Sequence, residues 1–271
     1  MSSKFFTTVA CTSMLLAGCA YNAATGKRQL SLVSNEQLIQ QANTQYKQFL
    51  ISNKVVRNTP DARRVQAIGS NISQAITRYY ASQGKQDLLK GYKWEFNLIQ
   101  SNEVNAWCMP GGKIVVYTGI LPVAQTDDAL AVIMGHEIAH AIAEHSKERV
   151  SAQLLQQGGA LALGAATAGQ AAQNQNAWLT AYGAATTLGG ILPFSRKQEL
   201  EADKLGLIYA AYAGYNPQAA IGLWQRMAAL NGGQRPPAFA STHPAEADRI
   251  KQLELLMPEA MEWYRKSGKA K

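Results

Sequence analysis

Two histidines and a glutamate fall within five consecutive positions, His136-Glu137-Ile138-Ala139-His140, and their spacing is the strongest chemical signal in the chain. Residues four apart on an α-helix lie one above the other, so His136 and His140 can aim two imidazole nitrogens at a single point. Such a pair suits a divalent metal ion. Glu137 stands beside them, where its carboxylate can take a proton from a metal-polarised water without becoming a ligand. The chemistry implied is metal-assisted hydrolysis, with one zinc ion per chain as cofactor.

Zinc that activates water needs three protein ligands and an open position. One known completion places Gly and a third His further along the same stretch, but Ala143 and Ser146 occupy those places. His145 lies five residues beyond His140, which on a continuous helix turns it away from the pair, and it reads as a packing or solvent histidine. A carboxylate from a second helix is the other completion. In Ser195-Arg196-Lys197-Gln198-Glu199-Leu200-Glu201-Ala202-Asp203, Glu199 and Asp203 share a face and Glu201 points elsewhere. Glu199 is the expected third ligand, with Asp203 placed to accept the other ring N–H of a ligating histidine.

The ordered set HEIAH, SRKQELEAD, then Ser241-Thr242-His243-Pro244 with Arg249 resembles the M48 family of zinc metallopeptidases, a gluzincin-like group that includes periplasmic lipoprotein proteases and membrane-embedded members. The segment from Asn105 to Gly119 is similar to that family's strand pair ahead of the catalytic helix. The resemblance extends over residues 55–260. It implies zinc bound at His136, His140 and Glu199 with Glu137 as catalytic base, the same four residues that spacing selects. It also implies a mainly helical α+β fold of the zincin-like (gluzincin) type, with a small antiparallel sheet beside the active-site helix.

Around these residues the sequence arranges its supports. Thr126 can cap a helix with Asp127 and Asp128 in its first turn, and only Gly135 interrupts the pattern from Ala129 to Val150. Helical periodicity covers Asn35 to Leu50 and Asp61 to Ser82, where Val65, Ile68, Ile72, Ala75, Ile76 and Tyr79 mark an apolar face. Alternating runs at Lys93 to Ile99 and Lys113 to Tyr117, parted by Pro110-Gly111-Gly112, read as antiparallel strands. The stretch Asn102 to Met109, with Asn105 and Ala106, is the candidate edge that would hold a substrate as an added strand.

Residues 151–192 are uncharged and rich in Ala, Gly and Gln, with Gln and Asn between positions 170 and 176 breaking any apolar span. They read as a helical insertion over the cleft, acting as a lid, a membrane contact or an ordinary helix pair. Helices follow at Ala202 to Ala213, Pro217 to Leu230 and Ala245 to Met257, with 261–271 as a tail. His243, on the loop before the last helix, has three roles open to it: transition-state donor, fourth ligand that holds the site idle, or structural cap. Arg249 has two, oxyanion donor or salt bridge.

Residues 1–18 have the form of a secretory leader, with Lys4 ahead of an apolar run. The ending Leu16-Ala17-Gly18-Cys19 resembles the bacterial lipobox, in which the cysteine is acylated. Lipid on Cys19 would anchor the chain to a membrane without spanning it, and Ala20 in place of an aspartate points to the periplasmic face of the outer membrane. Residues 19–54 then form a linker and first helix ahead of the peptidase domain. Cys108 is left without a partner once Cys11 and Cys19 are assigned. The chain is 47% hydrophobic and 16% charged, enough to bury a core, and its net +8 is scattered rather than clustered, so no nucleic-acid footprint is expected. The expected function is a zinc-dependent endopeptidase acting on misfolded or stalled envelope proteins. The alternative is a chaperone or scaffold lipoprotein for outer-membrane assembly, in which zinc staples the fold.

Overall fold

The computed structural model describes residues 19–166, 195–230, 238–243 and 248–269. A hairpin, β1 (Cys19–Asn22) and β2 (Lys27–Leu30), opens it, followed by helix α1 (Asn35–Ser52). Next come β3 (Val55–Val56), α2 (Pro60–Ala81), β4 (Glu95–Ile99), β5 (Ala106–Met109) and β6 (Lys113–Tyr117). A short α3 (Leu121–Ala124) leads into α4 (Asp127–Ile142) and α5 (His145–Ala166). The remainder is α6 (Arg196–Tyr212), α7 (Ala219–Leu230), the brief α8 (Ala238–Thr242) and α9 (Arg249–Lys266). The expected α+β, mainly helical zincin-like class is the one observed.

Helix α4 is apolar on all sides, and every residue from Ala129 to Ile142 is buried, as a helix must be when it has no polar face to turn outward. Thr126 caps it by accepting from the amide of Ala129, with Asp127 and Asp128 in the positive first turn. Helices α2, α6 and α7 and strand β5 surround it. The α2 stripe buries Val65, Ile68, Ile72, Ala75 and Ile76, and the position expected for Tyr79 is taken by fully buried Tyr80. On the outer side of the sheet, Tyr46 and Phe49 of α1 pack edge-on against Trp107.

The four-stranded sheet runs β3-β4-β6-β5 and is mixed. Strand β6 pairs antiparallel with β5 through the 110–112 turn, but parallel with β4, so the expected wholly antiparallel arrangement is corrected. The reason is that 106–109 is itself a strand: it takes the hairpin partnership with β6 and leaves β4 to join from the other side. It also puts β5 at the sheet edge, next to α4.

Three boundaries differ from expectation. The helix carrying His136 and His140 stops at Ile142, and Glu144 adopts a left-handed φ of 56° that redirects the chain before α5 begins at His145. Helix α9 continues through Pro258 to Lys266, absorbing half of the expected tail. Of the 151–192 insertion, residues up to Ala166 extend α5, while 167–194 lie outside the described residues, as does the leader at 1–18. Among the described residues no helix is long and apolar enough to cross a membrane.

Helices α4 and α6 cross at a backbone-to-backbone contact. A Cβ placed on Gly135 would meet the carbonyl oxygen of Gly206 at 2.6 Å, and one on Gly206 would meet the His136 amide nitrogen at 2.7 Å. Neither neighbour is a flexible side chain, so the helices would have to separate. Gly206→Ala gains ~1 kcal/mol of helix propensity but incurs an overpacking cost of ~1–3 kcal/mol. Net destabilisation and weaker zinc binding are expected, read by urea denaturation and chelator competition; a variant at least as stable as the parent, with unchanged metal affinity, would show that the close approach is not required.

Candidate metal centre

Four buried side chains converge: His136 and His140 from α4, Glu199 from the first turn of α6, and His243 just after α8. Ser195 caps α6 in a reciprocal capping box with Gln198, which fixes the turn that presents Glu199 and sets its carboxylate near the positive helix end. His136 Nε2 and His140 Nε2 are 3.0 Å apart, and His136 Nε2 is 3.2 Å from His243 Nδ1. Glu199 Oε1 is 2.9 Å from His243 Nδ1 and 3.4 Å from His140 Nε2, and its Oε2 is 3.5 Å from His136 Nε2.

These separations fit a zinc ion. Bonds of ~2.0–2.1 Å in a tetrahedron place ligand atoms ~3.3–3.4 Å apart, and the observed spacings run from 2.9 to 3.5 Å. Three imidazoles and one carboxylate are also a suitable donor set for zinc. Beside it, Glu137 is buried with an Oε1 that accepts no hydrogen bond, although His243 Nε2 comes within 3.3 Å of it off the favourable direction. A buried carboxylate oxygen left in this condition is costly unless a further group engages it.

A second layer supports the first. Asp203 Oδ1 is 2.9 Å from His136 Nδ1, which orients that ring with Nε2 toward the cluster. Arg249 donates to Glu199 Oε2 at 2.9 Å and to Asp203 Oδ1 at 2.7 Å, with its guanidinium carbon 3.5 Å from the centre of the Trp224 ring. The arginine is thus spent on the two carboxylates, a geometry that favours the salt-bridge role over the oxyanion role.

The electrostatics follow from burial and partners. Burial works against ionised Glu199, but the three imidazoles override it and hold the carboxyl far below the usual range. Burial works against ionised Asp203 as well, but Arg249 and His136 together hold its carboxyl below the ordinary value. Burial depresses the His140 imidazole well below the ordinary value. His136, which burial would also depress, is instead raised to about 9 by hydrogen bonds to Asp203 and Glu199. Burial pushes the Glu137 carboxyl up, the direction suited to a group that must exchange a proton.

His145 is the residue that sequence reasoning misplaced. It is fully buried, with Nδ1 2.8 Å from His140 Nδ1 and Nε2 3.2 Å from Glu201 Oε2. The helical-wheel argument failed because α4 ends before it; the left-handed Glu144 turns α5 back toward the site. Glu201, expected to point away from Glu199, does so, and meets His145 there. At the sheet edge, the amide of Tyr117 donates to Asn105 O at 3.1 Å, and Ala106 begins β5. Cys19 opens β1 and Cys108 lies on β5.

Two helices that pool imidazoles and a carboxylate around one point, with a second carboxylate alongside, define a metal centre of the hydrolytic kind. The chain belongs to peptidase family M48, which it matches over residues 62–256. It is 39% identical over 190 residues to the mitochondrial metalloendopeptidase OMA1 of Schizosaccharomyces pombe, covering 70% of this chain and 53% of that protein. Its identity to the Saccharomyces cerevisiae protein of that name is 35%, covering 66% and 52%. To the β-barrel assembly-enhancing protease of Escherichia coli it is 28% identical, covering 58% and 33%. The chain therefore spans about half the length, or less, of these curated relatives. Zinc is the metal of the family, in agreement with the expected cofactor.

These relatives correct the expected placement on the periplasmic face of the outer membrane. The stronger matches, at 39% and 35%, are to proteins named mitochondrial, against 28% for the bacterial one.

Because Arg249 pairs with two buried carboxylates, Arg249→Leu should destabilise the metal-free chain by ~3–5 kcal/mol. Chemical denaturation in the presence of a chelator measures this. An unchanged midpoint would show that Glu199 and Asp203 do not depend on it.

Proposed function

We propose that this chain is a zinc-dependent endopeptidase whose active centre is held closed by His243. The observation that carries the reading is the buried donor set of His136, His140, Glu199 and His243 with Glu137 and its unpartnered Oε1 alongside. Zinc bound in the cluster supplies a Lewis acid for a carbonyl oxygen and for water. Glu137 removes the water's proton and delivers it to the departing amine. Asp203 and Arg249 keep the rings and carboxylate in register, so that neither has to reorganise during the reaction.

A substrate would add along β5, at the sheet edge, through backbone hydrogen bonds near Asn105 and Ala106. Recognition of backbone rather than side chains suits misfolded or stalled protein chains, and a β-barrel assembly-enhancing protease stands among the relatives. The 238–243 segment now lies across this approach. Phe239 donates its amide to Val104 O at 3.1 Å, just ahead of β5, and stacks on the His243 ring with centroids 4.5 Å apart. His243 thus acts as a latch that a substrate strand displaces.

The four-residue set also favours a second reading, since closed sites with four protein ligands are typical of structural zinc. There the chain would bind or help assemble other proteins without cleaving them. Casein digestion followed by mass spectrometry separates the two. For the peptidase, cleavage is chelator-sensitive, and Glu137→Gln retains fold and zinc but loses ~10²–10⁴-fold in turnover. Absence of chelator-sensitive cleavage, in the parent and in His243→Ala alike, would sink the enzymatic reading.

His243→Ala tests the latch. Turnover should rise about tenfold for each ~1.4 kcal/mol by which the closed arrangement is favoured. A fall would instead make His243 a transition-state donor, and no change would leave it a structural residue.

A further inference from the structure

We infer that His145, Glu201 and Lys27 form an ordered hydrogen-bond relay that fixes the tautomer of His140, with His145 as a positioning residue for the metal site. The inference rests on the reading of His140 as a zinc ligand through Nε2. A lone pair on Nε2 facing the cluster requires the His140 proton to sit on Nδ1. Nδ1 of His140 lies 2.8 Å from Nδ1 of His145, so His145 must present a lone pair there and carry its own proton on Nε2. That N–H faces Glu201 Oε2 at 3.2 Å, and the other oxygen of Glu201 receives the Lys27 ammonium. Each assignment forces the next, from the metal ligand to the surface.

The two α4 ligands are therefore supported differently. His136 has Asp203 directly against its Nδ1 at 2.9 Å, whereas His140 reaches its carboxylate through an intervening imidazole. Reversing the relay would place a proton on His140 Nε2, pointing into the cluster, 3.0 Å from His136 Nε2. The buried imidazole of His145, 0% exposed, is costly to keep away from water unless both nitrogens are used, and the relay uses both.

The outer end of the relay belongs to the N-terminal hairpin. Lys27 begins β2, and the hairpin is tied to the same turn that delivers His145: Asn22 donates to Ala143 O at 2.8 Å, and Gln29 to Glu144 Oε2 at 3.2 Å. Residues ahead of the family-matched region, which starts at 62, thereby reach within two side chains of a metal ligand.

The test uses the full chain, with zinc affinity measured by chelator competition and geometry read from the visible absorption of the cobalt-substituted protein. His145→Phe keeps a ring but removes the acceptor, and should weaken zinc binding by about 10- to 100-fold while shifting the cobalt spectrum. His145→Asn, which restores an acceptor and a donor, should recover most of the affinity and the parent spectrum. A purely packing role predicts the reverse order, with Phe tolerated and Asn not. Parent-like affinity in His145→Phe, or Asn as weak as Phe, overturns the relay alone. Failure of the parent to bind zinc overturns the metal reading with it. Should His145→Phe not fold, Glu201→Ala, at the partly exposed end, decides: weakened zinc binding supports the relay and unchanged binding overturns it.

Discussion

The structure depends on how closely α4 and α6 approach. Gly135 and Gly206 remove the side chains that would keep two helix backbones apart, and the contact falls next to His136. Acidic side chains one and two turns back along α6 can then span the gap. Asp203 reaches His136 Nδ1 at 2.9 Å, and Glu199 comes within 3.5 Å of both α4 imidazoles. A wider crossing would leave Asp203 too short to orient that ring. The glycines, which contribute nothing chemically, thus set the dimensions of the chemical site.

Bringing these groups together concentrates charge where water cannot screen it. Two ionised carboxylates in a buried pocket carry a desolvation cost that burial alone does not repay. Arg249 offsets it from α9, with bonds to both acids and its guanidinium face on Trp224. The guanidinium suits this position because its planar fork meets two acceptors at once. Beyond that pairing, the imidazoles still share a strongly acidic Glu199, so the cluster attracts a cation. Metal bound there would couple to folding through the same residues.

The convergence of His136 and His140 was legible because its information is local: a four-residue spacing on a helix fixes their direction without knowledge of the rest of the fold. Glu199 was legible for a similar reason, since Glu199 and Asp203 share a face that Glu201 lacks. The errors have one origin as well. His145 was placed by extending a helix past Ile142, and no single residue type at 143 or 144 signals the left-handed conformation of Glu144, which tertiary contacts from Gln29 and Asn35 hold in place. The mixed sheet was not legible from alternation alone: the runs at 93–99 and 113–117 look alike as antiparallel neighbours, and only the fold shows that β5 is the hairpin partner that frees β6 to pair in parallel with β4. The N-terminal hairpin carried no chemical motif at all; its Lys27 acquires meaning only when the fold sets it against Glu201.

A closed donor set and a carboxylate placed to serve as a base in the same pocket need not conflict. The segment that carries His243 is held at the sheet edge by a bond that a substrate strand could replace, the Phe239 amide donating to Val104 O, while the His243 ring itself stacks on Phe239 and meets Glu199 Oε1 at 2.9 Å. Exchanging one backbone hydrogen bond for another is nearly neutral in free energy, because bonds of one kind are traded within the same environment. The side chain that closes the centre and the backbone that guards the edge lie on one six-residue segment, 238–243, so displacement at the edge and release at the metal would be a single event. A chain able to pair along β5 would then open the site it needs, whereas a folded protein with no free strand would leave it shut.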